Sequence, residues 1–166
     1  NKNQKRIAVI GSLANDKNSP LGSWRIGSDD STAISVIEGL KKYTGNFRYA
    51  KGADLIIGKA DFINEVKINE TDKSGFKDAI KLAKESEVVI MVLGEHGFQT
   101  GEGRSRTKLD LPGVQQQLLE EVYKVNKNII LVLMNGRPLA ITWADEHLPA
   151  IIEAWHLGSQ SGNAIA

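Results

Sequence analysis

Three uninterrupted apolar runs punctuate the chain: Ile7-Ala8-Val9-Ile10, Val88-Val89-Ile90-Met91-Val92-Leu93 and Ile129-Ile130-Leu131-Val132-Leu133-Met134. Strands covered on both faces read this way, whereas half-exposed strands alternate apolar and polar residues. Phe47-Arg48-Tyr49-Ala50 and Ala150-Ile151-Ile152-Glu153-Ala154-Trp155 add two more strands. Between the strands, apolar positions recur at helical spacing. Ala33, Val36, Ile37 and Leu40 outline a first helix, with Asp30 and Ser31 as the expected acceptors for its unpaired first-turn amides and Gly45 as its stop. From Ser74, the positions Phe76, Ala79, Ile80 and Ala83 form one apolar stripe, and Lys77, Asp78, Lys81 and Lys84 face the other way. Val114, Leu118 and Val122 anchor a third helix, opened by Leu111-Pro112-Gly113 with Pro112 in the first turn, where its missing amide hydrogen is not needed. A brief element is expected around Ile141 to Trp143. The loop from Ser12 to Thr32 is polar, and residues 53–72 show no period and remain unassigned.

This alternation of strand and helix predicts an α/β fold: a three-layer, flavodoxin-like sandwich around a mostly parallel sheet of five or six strands, with right-handed crossovers. In such sheets ligands sit beyond the carboxyl ends of the strands. The segment Gly94-Glu95-His96-Gly97-Phe98-Gln99-Thr100-Gly101-Glu102-Gly103-Arg104-Ser105-Arg106, at the end of the second apolar run, is therefore where a site is expected.

Composition narrows the choices. With 166 residues and 41% hydrophobic content, the chain supports one domain with a substantial core. A formal charge of +1, from scattered Lys, Arg, Asp and Glu, gives no one-sided field for a nucleic acid. The absence of cysteine rules out disulfides and thiolate metal sites, and the three His and the carboxylates have no compact metal-ligand spacing. No apolar run reaches the roughly 18 residues of a membrane span. The polar start Asn1-Lys2-Asn3-Gln4-Lys5 is neither a signal nor a transit peptide, and Ser161-Gly162-Asn163-Ala164-Ile165-Ala166 reads as a helix just beginning. The expectation is thus a single domain over 1–166, excerpted from a longer protein.

Several chemistries fall away. Gly11-Ser12-Leu13-Ala14-Asn15-Asp16 lacks the glycine spacing of a dinucleotide site, and no Gly-x-x-x-x-Gly-Lys phosphate loop follows any strand. Gly158-Ser159-Gln160-Ser161-Gly162 has Gln160 where a hydrolase elbow needs its serine. The His residues read as structural, with His147 in a polar loop and His156 following a strand beside Trp155. Carboxylates on a glycine-rich loop remain. Glycosidic bond cleavage uses two carboxyl groups, one giving a proton to the leaving oxygen and one acting on the anomeric carbon or on water, and a single loop glutamate fills only the first role.

Gly94-Glu95-His96, then Gly101-Glu102-Gly103-Arg104-Ser105-Arg106-Thr107 and Leu109-Asp110-Leu111-Pro112, resembles the acid/base loop in the second, α/β sandwich domain of glycoside hydrolase family three. The resemblance extends to the first apolar run, Leu21-Gly22-Ser23-Trp24, Tyr49-Ala50-Lys51-Gly52, Val132 to Leu139 and Gly162 to Ala166, in order, leaving Ala53 to Asp72 unmatched. It implies a retaining, exo-acting β-glycosidase acting on a β-glucoside or oligosaccharide, periplasmic or secreted, without a cofactor. It also implies a preceding (β/α)8 barrel on the same polypeptide that supplies an Asp nucleophile, so that this chain alone would be inactive. By the resemblance, Glu102 is the general acid/base and Trp24 stacks on the sugar in the leaving-group subsite.

Spacing alone makes Glu102 a solvated glutamate. Glu95 is expected to support the loop by hydrogen bonding, with Arg104 and Arg106 able to grip a carboxylate bidentately and anchor it. Trp143 and Trp155 read as core residues, and Asn135-Gly136-Arg137-Pro138 as a turn with Arg137 available for an ion pair. The rival reading is a non-catalytic module, either carbohydrate-binding or flavodoxin-like.

Overall fold

The apolar runs form the centre of a five-stranded sheet in the structure, a computed structural model that describes residues 6–25 and 27–166. The polar start, residues 1–5, lies outside the described residues. The strands are β1 (Ile7–Ile10), β2 (Phe47–Ala50), β3 (Val88–Gly94), β4 (Ile129–Met134) and β5 (Ala150–Glu153). Their order is β2-β1-β3-β4-β5, parallel at each pairing, as in flavodoxin-like folds. The longest pairing runs from Val89 opposite Ile129 to Gly94 opposite Met134.

Because side chains alternate across a strand, each apolar run feeds two cores. Ala8, Ile10, Val89, Met91, Leu93, Ile129, Leu131 and Leu133 face one layer, with helices α2 (Phe76–Lys84), α3 (Gln115–Val125) and α4 (Thr142–His147) packed over them. Val9, Val92, Val132 and Met134 face the other, under α1 (Val36–Lys41) and α5 (Ser161–Ile165). The three layers follow directly from this alternation.

Several local expectations give way to stronger interactions. Helix α1 is capped by Ser35, whose hydroxyl accepts from the Glu38 amide while the Glu38 carboxylate accepts from the Ser35 amide. That reciprocal pair satisfies two first-turn donors at once. Asp30 instead pairs with Arg25, and Ser31 sits at φ 62. The helix ends at Lys41, well before Gly45. Helix α3 begins at Gln115, after Gly113 at φ 67, so Pro112 lies before the helix rather than in its first turn. The element near Ile141 is a full helix, and His147 belongs to its last turn with its ring stacked on Trp143 at 4.4 Å. Strand β5 stops at Glu153, and Trp155, expected in the core, is 43% exposed at φ 51.

The unassigned segment 53–72 has no periodicity because side chains hold it. It carries one antiparallel bridge, Ile56 to Ile68, and a buried Asn69 whose amide nitrogen donates to the Asp54 and Asp72 carbonyls.

Candidate functional site

Strand β1 leads to β2 on one side of the sheet and β3 leads to β4 on the other, so the chain leaves the carboxyl ends of β1 and β3 in opposite directions. The crevice at such a switch point is where this fold class binds ligands. The loop after β1 carries Trp24, and the loop after β3 carries Glu102. The two loops meet at Gly101, where a β-carbon would overlap the Ser23 hydroxyl and lie 3.8 Å from the Trp24 indole nitrogen. Glu102 is exposed between Gly101 at φ 103 and Gly103 at φ 71. The Arg104 amide closes a turn by donating to the Gly101 carbonyl at 3.2 Å. A glycine third in such a turn adopts positive φ without the strain a β-carbon would add.

Glu95 lies at the base of this loop and is 0% exposed. Its Oε1 accepts from Arg106 Nη1 at 2.8 Å, and Arg137 Nε approaches the same oxygen at 3.0 Å, in ion-pair range though not aligned for a hydrogen bond. The Gly136 amide donates to Oε2 at 3.3 Å. Arg106 also donates to the Asp110 carbonyl. Two guanidinium groups thus compensate one buried carboxylate, the condition under which a charge is tolerated inside a protein. Neighbouring Gln115 donates to the carbonyls of Gly94 and Pro112 and accepts from the Gly94 amide, tying the start of α3 to the end of β3.

Arg104 turns elsewhere. It was expected to grip a carboxylate, but its Nη2 donates to the carbonyls of Phe62 at 2.7 Å and Asn64 at 2.9 Å. This brings the 53–72 segment to the site. Phe62 packs edge-on against Trp24, with ring centroids 5.9 Å apart, and against Phe98 at 6.4 Å. Arg25 lies over the Phe98 ring at 4.6 Å. Trp24 remains 65% exposed. A cavity of about 520 Å³ opens between Ser23, Arg25, Asp61, Phe62 and Phe98.

Below the Trp24 loop, Asp16, His96 and His156 interact electrostatically. His96 Nδ1 accepts from the Phe98 amide, and the Asp16 carboxylate caps Asn18 and Ser19. Burial pushes the His156 imidazole down to about 4, with His96 adding to the drop and Asp16 opposing it. Burial also lowers His96, with Asp16 opposing and Arg25 reinforcing. Both rings are therefore neutral near pH 7. No group of three or more His, Cys, Asp or Glu that could hold a metal ion occurs among the described residues.

Of the residues singled out in sequence, Trp24 and Glu102 lie on touching loops, Glu95 supports the base of one of them, and Arg104 links it to residues 62–64. Sequence reasoning missed Phe62 and gave Arg137 no place in the site. The signal for Arg137 was its position just past β4, the neighbour of β3 in the sheet.

Fold and crevice together define a parallel α/β sandwich domain whose switch point presents an acidic, aromatic-flanked loop in place of a phosphate-binding one. The profile of the glycosyl hydrolase family 3 C-terminal domain matches residues 1–166, and the chain belongs to that family. It is 38% identical to a beta-xylosidase of Formosa agariphila over 98% of this chain and 22% of that protein. It is 36% identical to a periplasmic beta-glucosidase of Salmonella typhimurium over 99% of this chain and 23% of that protein. Among solved structures, the Bifidobacterium adolescentis GH3 beta-glucosidase superposes with a TM-score of 0.78 at 32% identity, covering 99% of this chain and 22% of that one. A Listeria innocua beta-glucosidase in complex with isofagomine gives 0.82 at 26% identity, covering 99% and 21%. The chain thus spans about a fifth of the length of these relatives. No helix among the described residues is long and apolar enough to cross a membrane.

Proposed function

We propose that this chain is the second domain of a retaining, exo-acting β-glycosidase, with Glu102 as general acid/base and Trp24 as a wall of the leaving-group subsite. The observation that carries the reading is the position of Glu102: a carboxylate at the tip of a glycine-flanked turn, on the switch-point crevice, against the Trp24 loop. In retaining enzymes the two carboxyl groups stand only about 5–5.5 Å apart. A donor that must come that close to a nucleophile held elsewhere belongs on a projecting loop, and Glu102 projects.

In the first step, protonated Glu102 gives its proton to the glycosidic oxygen as that C–O bond breaks, while a carboxylate of a preceding (β/α)8 barrel attacks the anomeric carbon to form a glycosyl ester. In the second, Glu102, now ionised, takes a proton from water as the water oxygen displaces the ester and restores both carboxyl groups. The substrate class is terminal β-linked glucosides or xylosides, in keeping with the names of the relatives, and the setting is periplasmic or extracellular, in keeping with the Salmonella relative. Glu95 and Arg104 hold the loop.

The test is a leaving-group series of aryl glycosides with Glu102→Gln in the full-length enzyme. The expected result is a loss of about 10²–10⁴-fold in kcat/KM for poor leaving groups and little loss for activated ones. Equal rates for wild type and variant across the series contradict the reading. A second reading, a sugar-binding module without catalysis, draws on the exposed Trp24 face. Wild-type turnover of any aryl glycoside that is abolished by Glu102→Gln excludes it.

A further inference from the structure

We propose that Arg137, in the turn after β4, is the positioning residue for Glu102. This rests on the acid/base reading of Glu102 above. One nitrogen of its guanidinium, Nη2, donates to the Gln99 carbonyl at 2.5 Å and to the Arg104 carbonyl at 2.8 Å. Those two carbonyls bracket Thr100, Gly101, Glu102 and Gly103. A single side chain therefore closes the neck of the segment whose apex bears the carboxyl. With two glycines at positive φ beside Glu102, the apex has little stiffness of its own, and the closed neck limits where its carboxyl reaches.

The guanidinium is itself fixed. Its Nε sits 3.0 Å from the fully buried Glu95 Oε1, which the Arg106 guanidinium also holds. Gly136, next in the turn, packs so closely on Thr100 that a β-carbon would run into the threonine side chain. The buried Thr100 links the turn after β4 to the loop from the inside, and Arg137 links it from the neck. A planar, forked cation meets one carboxylate and two carbonyls in fixed directions, which a lysine ammonium on a flexible stem does not reproduce. Removing Arg137 leaves Glu95 paired with Arg106, so no buried charge is orphaned.

A positioning role differs from a merely structural one in what it does to chemistry. Misplacing the proton donor slows departure of poor leaving groups, which need the proton, and spares activated ones, which do not. It also slows water attack on the glycosyl ester, which an added anion such as azide, needing no base, relieves. The experiment compares Arg137→Met, Arg137→Lys and Glu102→Gln in the full-length enzyme over the leaving-group series, with and without azide, alongside amide hydrogen exchange. Both Arg137 variants are expected to lose about tenfold or more in kcat/KM for poor leaving groups, to keep near-wild-type values for activated ones, and to gain turnover with azide. Amides 100–104 exchange faster, while those of β3 and β4 stay protected.

If the Arg137 variants lose rate uniformly across leaving groups, or match wild type, while Glu102→Gln shows the selective loss, the positioning role is overturned and the acid/base reading stands. If Glu102→Gln shows no selective loss, both fall. Should Arg137→Met lose protection in β3 and β4, Arg137→Lys, which keeps a cation beside Glu95, decides on the same kinetic criteria.

Discussion

At the residue scale, the site separates an exposed carboxylate from one that is buried and clamped. Glu102 is exposed and flanked by glycines; Glu95 is fully buried and held by two arginines and a backbone amide. The freedom of Glu102 was legible because flanking glycines announce it, and hydrogen bonding at Glu95 and a carboxylate grip by Arg106 were expected, but not the part of Arg137. The grip on Glu95 depends on which side chains the β3–β4 register brings together, and Arg137 lies 42 positions further along the chain than Glu95. The partners of Arg104 were not legible for a related reason: they are backbone carbonyls, not a carboxylate, in a segment with no readable period. The half-buried histidines make a prediction at this scale. His156 has a folded-state value of about 4, below its ordinary 6.5, so between those values the unfolded chain binds the extra proton and stability falls as pH falls. Urea unfolding should lose roughly 2 kcal/mol between pH 7 and pH 4 on account of His156, after allowance for its partial exposure. His156→Gln should flatten that part of the profile. An identical pH dependence in the variant would remove His156 from the explanation.

At the scale of elements, the strands were legible and several ends were not. A run buried on both faces is continuous in sequence, so β1, β3 and β4 were readable without knowing their neighbours. Helix ends are decided by which polar side chain reaches the free amides first. Asp30 and Ser31 looked suitable for α1, but Ser35 caps it, because Glu38 stands three residues further on and returns the bond. Strand β5 looked longer than it is because Ala154 continues the apolar pattern, yet Trp155 turns to positive φ as the chain leaves the sheet. Segment 53–72 is held by Asn69 and one bridge, bonds that composition does not reveal. The α1 cap gives a direct test: Ser35→Ala removes a buried hydroxyl that accepts the Glu38 amide, and should cost about 1 kcal/mol in urea unfolding. A change within a few tenths of a kcal/mol would mean that another group satisfies that amide.

At the scale of the whole molecule, the fold explains how the loops after β1 and β3 come to share one edge of the sheet. The strand order sends the chain apart after β1 and β3, and Trp24 and Glu102 lie on the two loops that leave there and touch at Gly101. The fold class could be inferred from sequence pattern, and with it the placement of Trp24 and Glu102 on loops after β1 and β3. The brace beneath them could not, since it is assembled from β3, β4 and the intervening loop only after the sheet forms. The proposed function divides an active site between this domain's carboxyl and a nucleophile on another, so its central claim concerns what Glu102 does to bound substrate. The most direct measurement is product analysis by proton NMR for the full-length enzyme carrying Glu102→Ala, turning over an activated aryl glycoside in the presence of azide. The account predicts that azide accelerates turnover and that a β-glycosyl azide accumulates, because the ester still forms and only the base is missing. Hydrolysis at the wild-type rate with no azide product would contradict it.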